Sequence, residues 1–171
     1  MINKLKLDFS KQENPFEQDR NAGLVWGNID LHVVEPGGEI IQQIIDMVWD
    51  IKALIRWILG NEHRLYNEEF PKELDKGGES IAQVWNNYFD LCRSNDEIDD
   101  HADDILEDYS VHHNIRYGMT GTRTKNVYIG RRNGLHEVSF YDNGDLHWMY
   151  NIDLRVFVDE VKALSATYLI Q

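Results

Sequence analysis

The chain has 171 residues, 42% of them apolar, and its 30 acidic and 17 basic side chains give a net charge of −13. A chain of this length and apolar content can bury its own core, so we expect one folded domain spanning residues 1–171. The negative charge repels nucleic acid backbones and anionic lipid surfaces, and it argues against direct binding to either.

Three features favour a cytoplasmic protein. Cys92 is the only cysteine, which excludes an intrachain disulfide and favours a reducing compartment. The opening stretch MINKLKLDF lacks the apolar segment of a signal peptide. The longest apolar-rich run, residues 40–59, is interrupted by charged side chains and is therefore typical of an amphipathic helix rather than a membrane span.

The N-terminal part predicts strands followed by one long helix. Apolar and polar residues alternate in Lys4–Phe9, as they do in a half-buried strand. Leu24–Trp26 and Ile29–Val34 predict a second strand or a bent hairpin before a Pro-Gly-Gly turn. Nine aliphatic residues recur at helical spacing in Glu39–Leu59, and a Gly-Asn pair follows, so this segment predicts a helix.

The middle of the chain predicts a connection and then two helices. Residues 60–79 are polar and contain proline and glycine, which favours a long surface connection. Ser80 is a suitable N-cap for a helix that carries Trp85 and Phe89 among its apolar residues. The acidic segment that follows almost at once also has helical periodicity.

The last third predicts a β-meander and a final helix. Two Asn-Gly pairs, 133–134 and 143–144, are hairpin signals between short β-like runs. Asp153 is placed to cap a helix that continues to Tyr168. The four predicted runs are Asn114–Met119, Asn126–Gly130, Glu137–Tyr141 and His147–Ile152. We therefore predict an α+β fold, with a mostly antiparallel sheet and a C-terminal β-meander packed against several helices.

Residues 95–109, NDEIDDHADDILEDY, contain eight carboxylates and no lysine or arginine. On a helix they leave one narrow apolar stripe, formed by Ile98, Ala102, Ile105 and Tyr109. The nine acid–acid pairs at spacings of three or four residues would destabilise the helix by roughly 2–4 kcal/mol at low salt. We therefore expect this face to meet something positive, which can be a partner protein, a divalent cation or the protein's own basic residues.

The protein's own basic residues are a serious alternative, because no acid occurs between Tyr109 and His136. That stretch carries five basic residues that a meander beside the helix would bring close: Arg116, Arg123, Lys125, Arg131 and Arg132. Calcium is the weaker alternative, since an EF-hand loop needs a glycine at its bend and the acidic segment has none.

The sequence shows no complete catalytic constellation. The seven histidines form no H-E-x-x-H pattern, and the adjacent His112 and His113 would face opposite ways on a strand. The loop Gly118–Lys125 lacks the Gly-Lys-Ser/Thr of a phosphate-binding loop. We expect no enzyme activity, no catalytic or metal-ligating residues and no cofactor. The alternative is a small-ligand or nucleotide-binding domain or enzyme using the Arg123/Lys125 loop, or a divalent-cation-binding regulatory domain.

As a whole, this acidic α+β chain with one unpaired cysteine and a carboxylate-dense helix resembles bacterial immunity proteins, including those of contact-dependent growth inhibition systems. The resemblance implies a cytoplasmic antitoxin that neutralises a cognate toxin domain, with a nuclease as the expected kind. A nuclease needs a basic cleft for its polyanionic substrate, and a carboxylate-rich helix can occlude that cleft. The candidate partner-binding residues are Asp96, Asp99, Asp100, Asp103, Asp104, Glu107 and Asp108.

Overall fold

The computed structural model describes residues 2–14, 23–75, 77–94, 100–142 and 146–169. Within these ranges the predicted α+β fold is confirmed, with five α-helices and two three-stranded antiparallel sheets. The strands are β1 (Lys4–Lys11), β2 (Trp26–Val34), β3 (Ile40–Asp50), β4 (Val127–Arg132), β5 (Leu135–Asp142) and β6 (Leu146–Asn151). The helices are α1 (Ile51–Gly60), α2 (Glu62–Asn67), α3 (Ile81–Ser94), α4 (Asp100–His113) and α5 (Leu154–Tyr168).

The first sheet has the order β1-β2-β3. The prediction of a strand at the start of the chain is confirmed, and β1 pairs with β2 from Lys4 opposite Val34 to Lys11 opposite Gly27. The segment that was predicted to form a second strand or a bent hairpin forms one continuous strand, Trp26–Val34. Leu5 and Leu7 of β1 are buried while their polar neighbours are exposed. The alternation therefore directs one face of this sheet to the core, where α5 packs against β1.

The predicted helix over Glu39–Leu59 is wrong in its first half, because Ile40–Asp50 is strand β3 and the helix begins only at Ile51. Two register shifts against β2 break the strict alternation, so isoleucines recur at spacings that imitate a helix. Five of the eleven residues of β3 are β-branched, and such residues favour a strand. The Oδ1 atom of Asp50 accepts from the backbone nitrogen atoms of Lys52 (3.1 Å) and Val25 (2.9 Å), and so caps α1 at the junction.

Two further predictions need correction. The expected surface connection over residues 60–79 contains α2 and a 3-10 helix, Lys72–Leu74, and it buries Leu65, Phe70 and Leu74. The run predicted as a strand at Asn114–Met119 is a 3-10 helix over Ile115–Met119. It turns tightly because the Oδ1 atom of Asn114 accepts from the backbone nitrogen of Arg116 at 3.1 Å.

The second sheet has the order β4-β5-β6 and confirms the three remaining runs of the predicted meander. Asn133 and Gly134 both have positive φ, 53° and 78°, as a two-residue hairpin turn requires. The second predicted turn, 143–144, lies outside the described residues. The Oδ1 atom of Asp153 accepts from the backbone nitrogen of Arg155 at 3.1 Å, which confirms the predicted cap of α5.

Two clusters of buried apolar residues hold these elements together. The larger one joins both sheets to α1 and α5, with Leu31, Ile55 and Phe157 among its fully buried members. The smaller one joins α3 and α4 to β4 around Tyr109 and Tyr128. The smaller cluster fixes the position of the acidic helix. None of the helices in the described ranges is both long and apolar enough to cross a bilayer.

Candidate functional site

The acidic helix α4 is held by one face, and its buried residues are Leu106, Tyr109, Ser110 and His113. The predicted stripe is partly confirmed: Tyr109 is buried, Ala102 and Ile105 are half-buried, and Ile98 lies outside the described residues. Two indole groups fix the helix from neighbouring elements. The Nε1 atom of Trp57 in α1 donates to the carbonyl of Val111 at 3.0 Å, and Nε1 of Trp85 in α3 donates to Oγ of Ser110 at 2.8 Å.

A buried histidine completes this attachment. His113 is fully buried, and its ring stacks on Tyr109 with the ring centres 3.9 Å apart. Its Nδ1 atom lies 2.9 Å from the carbonyl oxygen of Ile129 and donates to it, and its Nε2 atom lies 3.2 Å from Oε2 of Glu68. Burial lowers the pKa of His113. These contacts give His113 a role in seating α4 on β4 and α2.

The structure separates the seven predicted partner-binding residues into three groups. Asp96 and Asp99 lie outside the described residues. Asp103 is half-buried, and Asp108 forms an ion pair with Arg64. The remaining three are exposed: Asp100, Asp104 and Glu107. We call these three residues the acidic face. Within the part of the chain that the structure describes, no basic side chain lies within ion-pair distance of the acidic face.

The basic residues of the meander region do not neutralise the acidic face. Arg131 pairs with Glu69 at 3.3 Å, and Arg132 pairs with Asp75 at 3.0 Å. Lys125 lies over the ring of Phe140, with Nζ 5.1 Å from the ring centre. The two other predicted candidates, Arg116 and Arg123, are exposed and form no ion pair with any residue in the described ranges.

The basic side chain that pairs with an acid of α4 is that of Arg64, which was not among the candidates from the sequence. Nη1 of Arg64 in α2 lies 2.6 Å from Oδ2 of Asp108. This hydrogen bond from the guanidinium lowers the pKa of Asp108. Arg64 lies in the segment that the sequence predicted to be a surface connection. No helical pattern there indicated that its side chain would lie beside α4.

Beside the acidic face, α3 and α4 border an open groove with aromatic walls. Its rings are Trp85, Phe89 and Tyr117, and we call these three residues the aromatic groove. The rings of Trp85 and Phe89 stack with their centres 5.3 Å apart and their planes 10° apart. Phe89 is 37% exposed and Tyr117 is 44% exposed, which is unusual for large aromatic side chains. The sequence indicated Trp85 and Phe89 only as apolar residues of one helix, and Tyr117 as part of a β-like run, so this exposed surface was not predicted.

The groove contains two adjoining cavities that share Trp85, Ser110 and Tyr117. The smaller, of about 340 Å³, is bordered by Asp103 and Glu107 of α4. The larger, of about 450 Å³, extends to Arg116, Tyr128 and the loop Thr120–Thr122. The smaller cavity therefore has acidic side chains in its lining, the larger one has Arg116, and both are lined by Trp85 and Tyr117.

Part of the loop Gly118–Lys125, the alternative site for nucleotide binding, lines the larger cavity, but the two basic residues predicted to bind the nucleotide do not. Arg123 and Lys125 are exposed, and neither lines that cavity; Arg116 is the basic residue that does. Two of the polar side chains there already have partners: Nδ2 of Asn114 donates to Oδ1 of Asn126 at 3.1 Å, and Oγ1 of Thr122 donates to the carbonyl of Met119 at 2.7 Å. Among the described residues, no group of three or more His, Cys, Asp or Glu side chains is placed to hold a metal ion.

The arrangement combines two features that protein interfaces use. Exposed carboxylates attract a basic surface at a distance, and exposed aromatic rings supply the apolar contact that holds a complex together. In this chain the two features lie side by side, since Glu107 belongs to the acidic face and also borders the aromatic groove. Comparison with protein-family models, curated protein sequences and solved structures finds no match for this chain.

Proposed function

We propose that this protein is an immunity protein that binds a basic toxin domain through the acidic face and the adjoining aromatic groove. The observation that carries the proposal is the position of Asp100, Asp104 and Glu107: all three are exposed and have no basic partner among the described residues. Their mutual repulsion weakens α4 in the free protein, and a positive partner surface would relieve it. A protein partner is favoured over nucleic acid or membrane because the net charge is −13.

The proposed mechanism is occlusion of the toxin's substrate-binding face. A nuclease binds its polyanionic substrate through lysine and arginine side chains, and carboxylates can occupy the same positions as phosphates. Long-range attraction would speed association and select the partner, while the aromatic groove would supply the contacts that slow dissociation. The protein itself would perform no chemistry, and it would act in the cytoplasm, where the single cysteine Cys92 stays reduced.

The test is a charge reversal of the acidic face, Asp100→Lys with Asp104→Lys and Glu107→Lys. The partner is the protein encoded by the gene next to this one, because an immunity gene is expected to accompany its toxin gene. We expect the variant to stay folded, because the three side chains are exposed. Binding measured by calorimetry should weaken at least tenfold, and the dependence of the dissociation constant on salt should decrease. Protection of cells that express the toxin should be lost in parallel.

A matched control makes the same change in net charge elsewhere: Glu39→Lys, Glu73→Lys and Asp159→Lys. These three acids are also exposed, and none lies on α4. We expect this control to bind and protect nearly as well as the parent protein. Equal weakening in both triple variants would mean that only the total charge matters. Unchanged binding in the α4 variant would exclude the acidic face as the interface.

A small anionic ligand is the second candidate, and the observation that favours it is the cavity of about 450 Å³ lined in part by Arg116. That volume lies within the range of roughly 300–1,000 Å³ found for ligand clefts. Thermal-shift measurements with nucleotides and with divalent cations separate the candidates. A concentration-dependent rise in melting temperature with a nucleotide, abolished by Arg116→Gln, would support the second candidate; no rise would leave toxin binding as the proposal.

A further inference from the structure

The smaller cavity of the aromatic groove differs in chemistry from its neighbour. Its volume is about 340 Å³, and it is lined by Trp85, Phe89 and Tyr117 together with Leu106 of α4. Asp103 and Glu107 supply carboxylates on the α4 side, and none of the described residues that line this cavity is basic. The volume lies near the lower end of the range of roughly 300–1,000 Å³ for ligand clefts, which suits a single side chain better than a nucleotide.

We propose that this cavity is a specific binding site for an arginine side chain of the partner. The inference rests on the proposed function and deepens it, because it names the residue type that anchors the toxin domain. An arginine has an apolar stem of three methylene groups, which would pack against the aromatic rings and Leu106. Its guanidinium group would pair with the carboxylate of Glu107, which lines the cavity. We call this cavity the arginine niche.

The niche favours arginine over the other side chains that a basic surface presents. The guanidinium is planar, and it can stack on an aromatic ring while it donates two parallel hydrogen bonds to one carboxylate. A lysine ammonium is more strongly hydrated and makes neither contact as well. A neutral aromatic side chain would fill the apolar part but would leave the carboxylate of Glu107 without a partner. The contacts of the niche walls also hold it open in advance, since Nε1 of Trp85 is fixed by Ser110 at 2.8 Å.

The experiment uses a small probe and the full-length protein, so it does not depend on the identity of the toxin. N-acetyl-arginine methylamide is titrated into ¹⁵N-labelled protein, and the signals of the Trp85 indole and the Glu107 and Tyr117 amides are followed. The N-acetyl-citrulline methylamide has nearly the same shape without the charge, and the lysine derivative has the charge without the planar group. We expect saturable shifts at these three residues with the arginine probe, at least fivefold weaker binding of the lysine probe, and no saturable shift with citrulline.

Two variants then test separately whether the carboxylate and the aromatic wall of the niche bind the arginine probe. Glu107→Gln and Tyr117→Ala should each weaken binding of the arginine probe at least fivefold. Tyr117 suits this test because its side chain is exposed and forms no hydrogen bond within the described ranges, so the variant should fold. The matched controls are Glu39→Gln, which removes one exposed carboxylate, and Leu135→Ala, which removes an exposed apolar side chain. Both controls should bind the probe like the parent protein.

The outcomes distinguish this inference from the proposed function. Equal binding of arginine and citrulline, or shifts that the two niche variants leave unchanged, would overturn the arginine niche. If the charge reversal of the acidic face also abolished toxin binding in that case, the proposed function would stand alone. Probe binding to the niche combined with unchanged toxin binding by the Tyr117→Ala variant would overturn the niche as the partner's anchor. A toxin that tolerates Asp100→Lys with Asp104→Lys, but loses at least tenfold in affinity with Glu107→Gln and with Tyr117→Ala, would support the niche and contradict the charge-based part of the proposed function.

Discussion

Nη1 of Arg64 lies 2.6 Å from Oδ2 of Asp108, and this ion pair joins α2 to α4 across 44 positions of the sequence. The acids of α4 therefore have two different roles. Asp108 stabilises the attachment of α4, whereas Asp100, Asp104 and Glu107 have no basic partner among the described residues. Substitution of Asp108 should therefore lower the free energy of unfolding, whereas substitution of an acid of the acidic face should not.

The first prediction compares two aspartates of α4. Asp108→Asn should lower the free energy of unfolding by about 0.2–1 kcal/mol, the range for exposed ion pairs. Asp104→Asn should leave it unchanged or raise it by a few tenths of a kcal/mol, because it removes like-charge repulsion. Urea unfolding at pH 7 and low salt measures both. A loss of stability in Asp104→Asn equal to that in Asp108→Asn would contradict the division of roles.

The same pair predicts a pH dependence with a definite sign. The pKa of Asp108 is lowered by the hydrogen bond from Arg64, so the unfolded chain takes up a proton at a higher pH than the folded protein does. The stability that this carboxylate contributes is present above its ordinary pKa of 3.8 and is lost as the pH falls through the folded-state value. The parent protein and Asp108→Asn should therefore converge in stability as the pH falls below about 4.

The second prediction concerns the buried imidazole of His113. Its folded-state pKa is lowered by burial, so between that value and the ordinary 6.5 the unfolded chain binds a proton that the folded protein does not. Stability should therefore fall as the pH drops below about 6.5. His113→Gln should be less stable at pH 7.5 but should show a weaker pH dependence between pH 7.5 and 5. His63→Gln, at an exposed histidine of α2, is the control and should retain the parent profile.

The third prediction concerns Glu137, a buried carboxylate of β5 that accepts from the backbone nitrogen of Ile81 at 2.7 Å. Burial raises its pKa above the ordinary 4.5, so the parent protein should lose stability as the pH rises through the folded-state value. Glu137→Gln keeps the acceptor oxygen and has no charge. Its stability relative to the parent should therefore increase as the pH rises from 4 to 7. A relative decrease over that range would mean that the ionised carboxylate stabilises the start of α3 more than burial penalises it.

The fourth prediction uses a glycine beneath the acidic helix. A Cβ atom at Gly130 of β4 would collide with Oη of Tyr109 and would lie 2.9 Å from Cδ1 of Ile81. Gly130→Ala should therefore lower the free energy of unfolding by about 1–3 kcal/mol. Gly60→Ala is the control, because no atom lies within 4 Å of a Cβ atom there, and it should change stability by less than about 0.5 kcal/mol. Thermal or urea unfolding measures both variants.

Local patterns predicted much of the secondary structure. The alternation at the start of β1, the Asn133-Gly134 turn and the Asp153 cap all occur as the sequence indicated. Each is determined by neighbouring residues: side-chain alternation, a positive φ that Asn and Gly tolerate, and a carboxylate that accepts from nearby backbone nitrogen atoms. Periodicity was misleading in β3, where two register shifts imposed by pairing with β2 displaced the isoleucines from strict alternation.

The negative charge of the candidate site could be predicted from the sequence. Which acids remain unpaired, and which aromatic residues lie beside them, could not. The excess of carboxylates on α4 is a property of residues three and four positions apart, and so it can be counted in the sequence. Only the tertiary structure decided that Arg64 neutralises Asp108 and that Arg131 and Arg132 pair elsewhere, because those partners are distant in sequence. The aromatic groove likewise exists because the packing of α3, α4 and the 3-10 helix leaves Phe89 and Tyr117 exposed, which no local pattern specifies.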